Sequence, residues 1–161
     1  MYKRTDKLAF LGVTNASTTT YHRMKSFTEI SQSKNAKEYT RQYVDEDMER
    51  SEVVRFSPSI SYKFDRDADN AVHTVLSEIA DNEKLGSAAE VSLLIVDLNK
   101  EGTPSGSFLA VERKFSVVPN QEGDSNDAYT YSGTFKASGK KVDGTATTTD
   151  EWETCTFTQA S

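Results

Sequence analysis

From Val53 to Phe64 the chain alternates, with Val54, Phe56, Pro58, Ile60, Tyr62 and Phe64 on one side and Arg55, Ser57, Ser59, Ser61 and Lys63 on the other. Successive side chains of a strand point to opposite faces, so this pattern predicts one strand with a dry face and a wet face. Pro58 has no amide hydrogen to give to a ladder, which places the strand at a sheet edge or bulges it there. Residues 127–137, DAYTYSGTFKA, repeat the alternation with Tyr129, Tyr131, Phe135 and Ala137 on one face. AEVSLLIVDLN (89–99) and SFLAVERKFSVV (107–118) are apolar on both sides, as central strands are, and NKEGTPSG between them reads as a turn or loop. KLAFLGV (7–13) and TYHRMKSFTEI (20–30) predict further strands with weaker alternation. Residues 134–158 read as short strands around tight turns at SGKK and TTDE, and their run of threonines suits β-structure.

One segment changes period. In DADNAVHTVLSEIADNEKLG (67–86), Val72, Val75, Leu76 and Ile79 recur at helical spacing and form a single apolar stripe. Asp67 or Asp69 is placed to cap its start, and Gly86 to end it in a left-handed C′ position. The expected helix covers about 67–85, with His73 beside the stripe as a partly exposed polar residue. The fold class that follows is mainly β: a β-sandwich or partly open barrel with one flanking α-helix.

Composition narrows the function classes. The 161 residues are expected to form a single domain, 1–161, long enough to bury a core without metals or cross-links. Net charge is −6, which argues against a wide face gripping nucleic-acid phosphate. Apolar runs such as Leu93–Val96 are far shorter than the ~20 residues a spanning helix needs, so no membrane partner is expected. MYKRTDKLAF carries no signal-peptide pattern. Cys155 is the only cysteine, which excludes an internal disulfide framework and fits a reducing cytosol. With two histidines it leaves too few soft ligands for a structural zinc site.

Catalytic and ligand motifs fail on inspection. No Gly-x-Ser-x-Gly elbow occurs. The string from Gly133 has five residues between its glycines and ends in Lys140–Lys141, so it is not a phosphate loop. In DEDMERSEVVRF, Asp45, Asp47 and Glu49 fit calcium-loop positions, but Arg50 stands where glycine is needed and Phe56 where glutamate is. Asn15–Ala16–Ser17 matches the glycosylation triplet, a chance match without a secretory signal. No cofactor and no enzymatic activity are expected.

The residues that stand apart are 33–54, SKNAKEYTRQYVDEDMERSEVV. With Arg55 they hold five positive charges (Lys34, Lys37, Arg41, Arg50, Arg55) and six negative ones (Glu38, Asp45, Glu46, Asp47, Glu49, Glu52). A surface helix, with Arg41, Asp45 and Glu49 at i, i+4, i+8, and a disordered insertion are the plain readings. Tyr39, Tyr43, Val44 and Met48 argue against full disorder, because they give the stretch something to bury. Near-balanced charge with aromatics suits a polar protein–protein contact or self-complementary stacking of copies.

The order of pieces — an N-terminal strand pair, the long charged loop, SPSISYKFDRDADN running into one helix, a strand hairpin, and YSGTFKASGKKVDGTATTTDEWETCTFT — resembles the major tail tube proteins of long-tailed phages and prophages, especially of Gram-positive hosts. The resemblance runs from about Lys7 to Thr158, and SPSISYKFD (57–65) and the Gly/Thr-rich C-terminal hairpin are its most specific parts. It implies a structural virion protein, made in the host cytoplasm, whose hexameric rings stack into a hollow tail tube that conducts DNA during ejection. Its partners would be further copies of itself and the tape-measure and tail terminator proteins, with DNA passing through the lumen without specific binding. Six copies at −6 each would favour a negative lumen that repels phosphate. By position, residues 33–54 match the loop that reaches a neighbouring subunit, mobile in the monomer and ordered in the tube. The implied contact residues are Lys37, Tyr39, Arg41, Tyr43, Asp45, Glu46, Asp47, Glu49 and Arg50. The alternative is a monomeric β-sandwich binding module, for example for cell-surface carbohydrate, with Tyr129, Tyr131 and Trp152 as its stacking platform.

Overall fold

The computed structural model describes residues 1–15, 18–123 and 125–160. Among them the chain forms β1 (Lys7–Asn15), β2 (Thr18–Arg23), β3 (Phe27–Ser33), β4 (Ala36–Arg41), β5 (Arg50–Phe56), β6 (Ser59–Asp65), α1 (Ala71–Asp81), β7 (Glu90–Glu101), β8 (Phe108–Glu122), β9 (Thr130–Ala137), β10 (Val142–Thr147) and β11 (Thr154–Gln159). Nine strands make one sheet in the order β10-β11-β2-β1-β7-β8-β9-β6-β3, and β10 pairs again with β8. That second pairing closes β10, β11, β2, β1, β7 and β8 into a barrel, while β9, β6 and β3 continue outward from β8 as a wing. The expected mainly β fold with one helix is what forms, and the barrel is closed rather than partly open.

Two cores follow from the alternation. Leu8, Phe10, Tyr21, Leu94, Val96, Ala110, Ala146 and Cys155 cluster together and fill the barrel. The intervening positions Leu11, Val91, Leu93, Phe115 and Val117 pack with Ile60, Tyr62, Phe64 and Phe135 of the wing and with Val72, Leu76 and Ile79 of α1. β7 is therefore buried on both faces, which is why its sequence reads as a nearly continuous apolar run. Closure depends on Gly144 of β10: a Cβ there would lie 2.2 Å from the Thr158 carbonyl oxygen and 2.8 Å from the Phe157 ring. The Cys155 thiol faces this core, and burial pushes its pKa up to about 12, so it stays protonated and unreactive.

Several expected boundaries move. The strand expected over Val53–Phe64 is two strands, broken at Ser57–Pro58. Ile60, Tyr62 and Phe64 are buried as the pattern predicts, whereas Val54 and Phe56 are more than half exposed. TYHRMKSFTEI is likewise two strands, turning at Ser26, whose φ is +59°. β7 runs on through Asn99, Lys100 and Glu101, shortening the expected loop to 102–107. The helix spans Ala71–Asp81 rather than 67–85. Its cap is Asn70, whose side-chain oxygen accepts from the amides of Val72 (3.0 Å) and His73 (3.3 Å). Asp67 instead accepts from the amide of Asp69 (3.0 Å), one turn too early to cap. The helix ends at Asn82 and the chain turns left-handed at Glu83 (φ +48°), so Gly86 is not its C′ residue. The glycosylation triplet extends outside the described residues.

His73 is fully buried rather than partly exposed. The amide of Asp67 donates to its Nδ1 (3.1 Å), so the ring proton sits on Nε2, which donates to the Lys25 carbonyl (3.0 Å). The ring stacks on Phe64 at 4.2 Å between centroids. It thus ties α1 to the turn between β2 and β3. Burial lowers its pKa from 6.5, and the Lys25 carbonyl opposes that shift without cancelling it. Above pH 6.5 the ring is neutral both folded and unfolded; below it the unfolded chain binds a proton that the folded chain resists. Stability therefore falls as the pH drops from 6.5 toward the depressed folded value, and this contribution levels off below that value. Melting curves from about pH 8 to about pH 5 are expected to show this slope in the wild type and a shallower one in His73→Gln. Equal slopes would show that His73 does not carry the effect.

Candidate functional site

Residues 33–54 hold no helix, and the expected loop is confined to the turn at 42–49 and the short break at 34–35. They build a hairpin, β4 against β5, as a separate two-stranded sheet. The β3–β6 ladder ends at Ser33↔Ser59 and the β4–β5 ladder begins at Ala36↔Phe56, so the hairpin prolongs the wing beyond a short break. Asn35 holds that break. Its φ is +49°, its side-chain amide donates to the Ser57 carbonyl (3.1 Å) and Ser59 Oγ (3.0 Å), and its side-chain oxygen accepts from Ser33 Oγ (2.9 Å). Every residue of β4 and β5 is exposed, because no other element packs on them.

The register gives the hairpin two unlike faces. Lys37, Tyr39 and Arg41 share one face with their partners Arg55, Glu52 and Arg50. Ala36, Glu38 and Thr40 share the other with Phe56, Val53 and Ser51, and Val54 falls at the register shift. The first face sets like charges opposite each other, Lys37 against Arg55 and Arg41 against Arg50, which weakens an isolated ladder. Tyr43 offsets part of this, with Arg41 at 5.8 Å and Arg50 at 5.7 Å from its ring centroid, and Arg41 also lies 5.3 Å from Tyr39. Arg50 further pairs with Glu46. The remaining tip acids, Asp45, Asp47 and Glu49, are exposed, as are Val44 and Met48 beside them. All nine residues expected to act together thus lie on one projecting element: Lys37, Tyr39 and Arg41 on β4, Tyr43, Asp45, Glu46, Asp47 and Glu49 in the turn, and Arg50 opening β5. Among the described residues, no three or more His, Cys, Asp or Glu side chains gather so as to hold a metal ion.

The aromatic platform of the alternative reading does not assemble. Trp152 packs in the barrel against Phe10 (6.1 Å) and Phe108 (5.7 Å). Tyr131 belongs to the other core and donates to the Asp81 carboxylate at 3.1 Å. Burial and that carboxylate push its pKa up to about 12. Only Tyr129 stands exposed.

A second feature was not anticipated. A groove runs along the outer face of the barrel where the edge strand β3 stands off from β1, β7 and β8. Its widest part, about 700 Å³, lies between β1 and the β2–β3 turn. Hollows sharing residues with it and with one another continue past Leu93 and Ile95 to Arg113 and Lys141, ending at Phe56 and Ser57, the root of the hairpin. Arg4 struts it, donating to the carbonyls of Lys7 on one bank and Ile30 on the other, each at 3.2 Å. Over β7 and β8 the floor is apolar, formed by Ile95 and Val111, and the rim carries Lys7, Lys34, Arg113 and Lys141, while Glu29 stands at the wide end. The rim residues come from separate strands and turns, so along the sequence each reads as a lone surface cation. No helix of the described residues is long and apolar enough to cross a membrane.

No protein-family model matches the sequence, and no curated protein matches it significantly. Among solved structures, a chain of the six-fold symmetrised baseplate of the anti-feeding prophage is similar over 85% of this chain and 91% of that chain, at 7% identity and a TM-score of 0.44, which is too distant to speak to function.

Proposed function

We propose that the chain is a structural subunit of a phage tail or tail-like particle, and that it assembles with copies of itself into stacked rings forming a hollow tube. One observation carries this reading: an ordered hairpin projects with no residue of its strands buried, yet it displays Tyr39, Val53, Val54 and Phe56, each about half exposed or more. Exposed apolar side chains gathered on one element mark a contact surface. The quoted resemblance of SPSISYKFD and of the C-terminal hairpin to tail tube proteins supplies the identity of that contact, another copy. In such a tube the negative charge of each subunit favours a bore along which duplex DNA slides without adhering. The tube ends would meet other tail proteins of the particle.

Electron microscopy and sedimentation of the concentrated protein test the reading. Hollow filaments or ring-sized species are expected, and a protein that stays monomeric at every concentration overturns it. The Arg41→Glu/Arg50→Glu variant is expected to melt like the wild type and to lose assembly. Both guanidiniums are exposed, and their reversal sets negative charge beside an already acidic tip.

A further inference from the structure

We infer that the basic groove is the seat for the hairpin tip of a second copy. The inference rests on the assembly reading above and adds the receiving site. Two complementarities carry it. The tip, Val44-Asp45-Glu46-Asp47-Met48-Glu49, presents three exposed carboxylates not held by Arg50, and Val44 and Met48 stand in solvent at 109% and 77% exposure. The groove presents the reverse charge over a like floor. Lys7, Lys34, Arg113 and Lys141 line it together with Leu93, Ile95 and Val111. Among the described residues, Lys7, Lys34 and Arg113 have no carboxylate partner, and Lys141 has only the exposed Asp143 at 3.4 Å. A chain of net charge −6 thus gathers four cations at one place, with Asp97 opposite Lys7 in the β1–β7 ladder and Asp143 beside Lys141, and the acidic apolar segment that fits the surplus is carried on the chain itself.

The placement of the two parts makes the contact head-to-tail. The groove ends at Phe56 and Ser57, where the chain's own hairpin departs. The six residues of β4 carry the tip about 20 Å from that root. Val44, Asp45, Asp47, Met48 and Glu49 are exposed and line no part of the groove, so the tip is not seated on its own chain. A copy that receives a tip therefore offers its own tip onward. A repeated contact between two different surfaces closes into a ring or continues as a filament, according to the rotation between copies. Val44 and Met48 would cover Ile95 and Val111, which are partly exposed on the floor, while Asp45, Asp47 and Glu49 meet the rim.

The test is a charge exchange in the full chain, with assembly followed by sedimentation and folding by thermal melting. The groove set is Lys7→Glu/Lys34→Glu/Lys141→Glu, all exposed positions, and the tip set is Asp45→Lys/Asp47→Lys/Glu49→Lys. Each set alone is expected to raise the concentration needed for assembly by at least about tenfold, and the chain carrying both sets to regain most of that loss. Should the groove set unfold the chain, Lys→Gln at the same three positions gives a neutral version, expected to weaken assembly less than reversal does. If the groove set leaves assembly unchanged, or the combined chain stays as impaired as either set, the seat lies elsewhere while the assembly reading stands. A wild type that never assembles overturns both. If instead the wild-type monomer retains a single-stranded oligonucleotide that the groove set releases, and the tip set leaves assembly untouched, the groove is a nucleic-acid surface and the inference is wrong.

Discussion

A chain in which Asn-Gly replaces residues 35–56 is expected to fold like the full-length protein and to lose assembly entirely. The excision removes no core residue, because every position of β4 and β5 is exposed and none joins either hydrophobic cluster. The chain reconnects without strain. Ser33 and Ser59 are already opposite partners in the β3–β6 ladder, and Lys34-Asn-Gly-Ser57-Pro58 joins them as a five-residue hairpin loop, one of the common lengths. Keeping Ser57 and Pro58 preserves the hydrogen bond from the Ala137 amide to the Pro58 carbonyl (3.0 Å). A shorter connection also lowers the entropy cost of closing the loop, though only by about 1.4 kcal/mol, against which the loss of the hairpin's own pairing counts. The melting temperature should stay within about 4 °C of the wild type, about the shift that 1 kcal/mol produces in a domain of this size. What is lost is the arm with all nine contact residues proposed for it. Sedimentation should then show a monomer at concentrations where the full chain assembles. Filaments from the excised chain would remove the hairpin from the assembly mechanism.

Phe135→Ala is expected to have the largest effect on stability. Phe135 is fully buried in β9, where the wing meets the outer face of the barrel. Its ring packs at 4.6 Å from Tyr62 and 6.4 Å from Phe115, centroid to centroid, so it joins β9 to β6 on one side and β8 on the other. Truncation removes the ring and leaves a cavity that β-strands held in register on both sides cannot easily close, at a cost of about 3–5 kcal/mol. That lowers the melting temperature by about 6–20 °C and takes a large share of the stability of an ordinary domain. Phe135→Leu keeps most of the volume and should recover more than half of the loss. Denaturant melts of the three proteins decide it; an Ala variant within about 1 kcal/mol of the wild type would mean that the wing is not held by this contact.

Much of this fold is legible in residue patterns, and the reason lies in which positions have one neighbour and which have two. Ile60, Tyr62 and Phe64 alternate because β6 has one face on the core, and the buried set matches the alternation. Leu93–Val96 runs unbroken because β7 lies between two cores. Val72, Leu76 and Ile79 form a stripe because α1 covers a sheet on one side only. Alternation fails at Val54 and Phe56. They continue the pattern of β6, but Pro58 breaks the ladder and the chain beyond it leaves the domain, so the same residues point to solvent. His73 was legible as a residue beside the stripe and not as a buried link, because its partners are main-chain groups at Lys25 and Asp67 that carry no side-chain signature.

The charged segment divides in the same way. Its composition carries the proposal of a contact element, since charges of both signs with interspersed Tyr, Val and Met suit a surface that another surface meets. Only the tertiary structure decides that it is a hairpin, and that Lys37, Arg41, Arg50 and Arg55 share a face, because register is a property of two strands and neither strand encodes it alone. The basic groove lies still further from the sequence. Lys7, Lys34, Arg113 and Lys141 are separated along the chain and come together because barrel closure brings β1, β7, β8 and the turn before β10 past the edge of β3. Local pattern determines which side of each strand is apolar; which cations become neighbours depends on how the sheet closes.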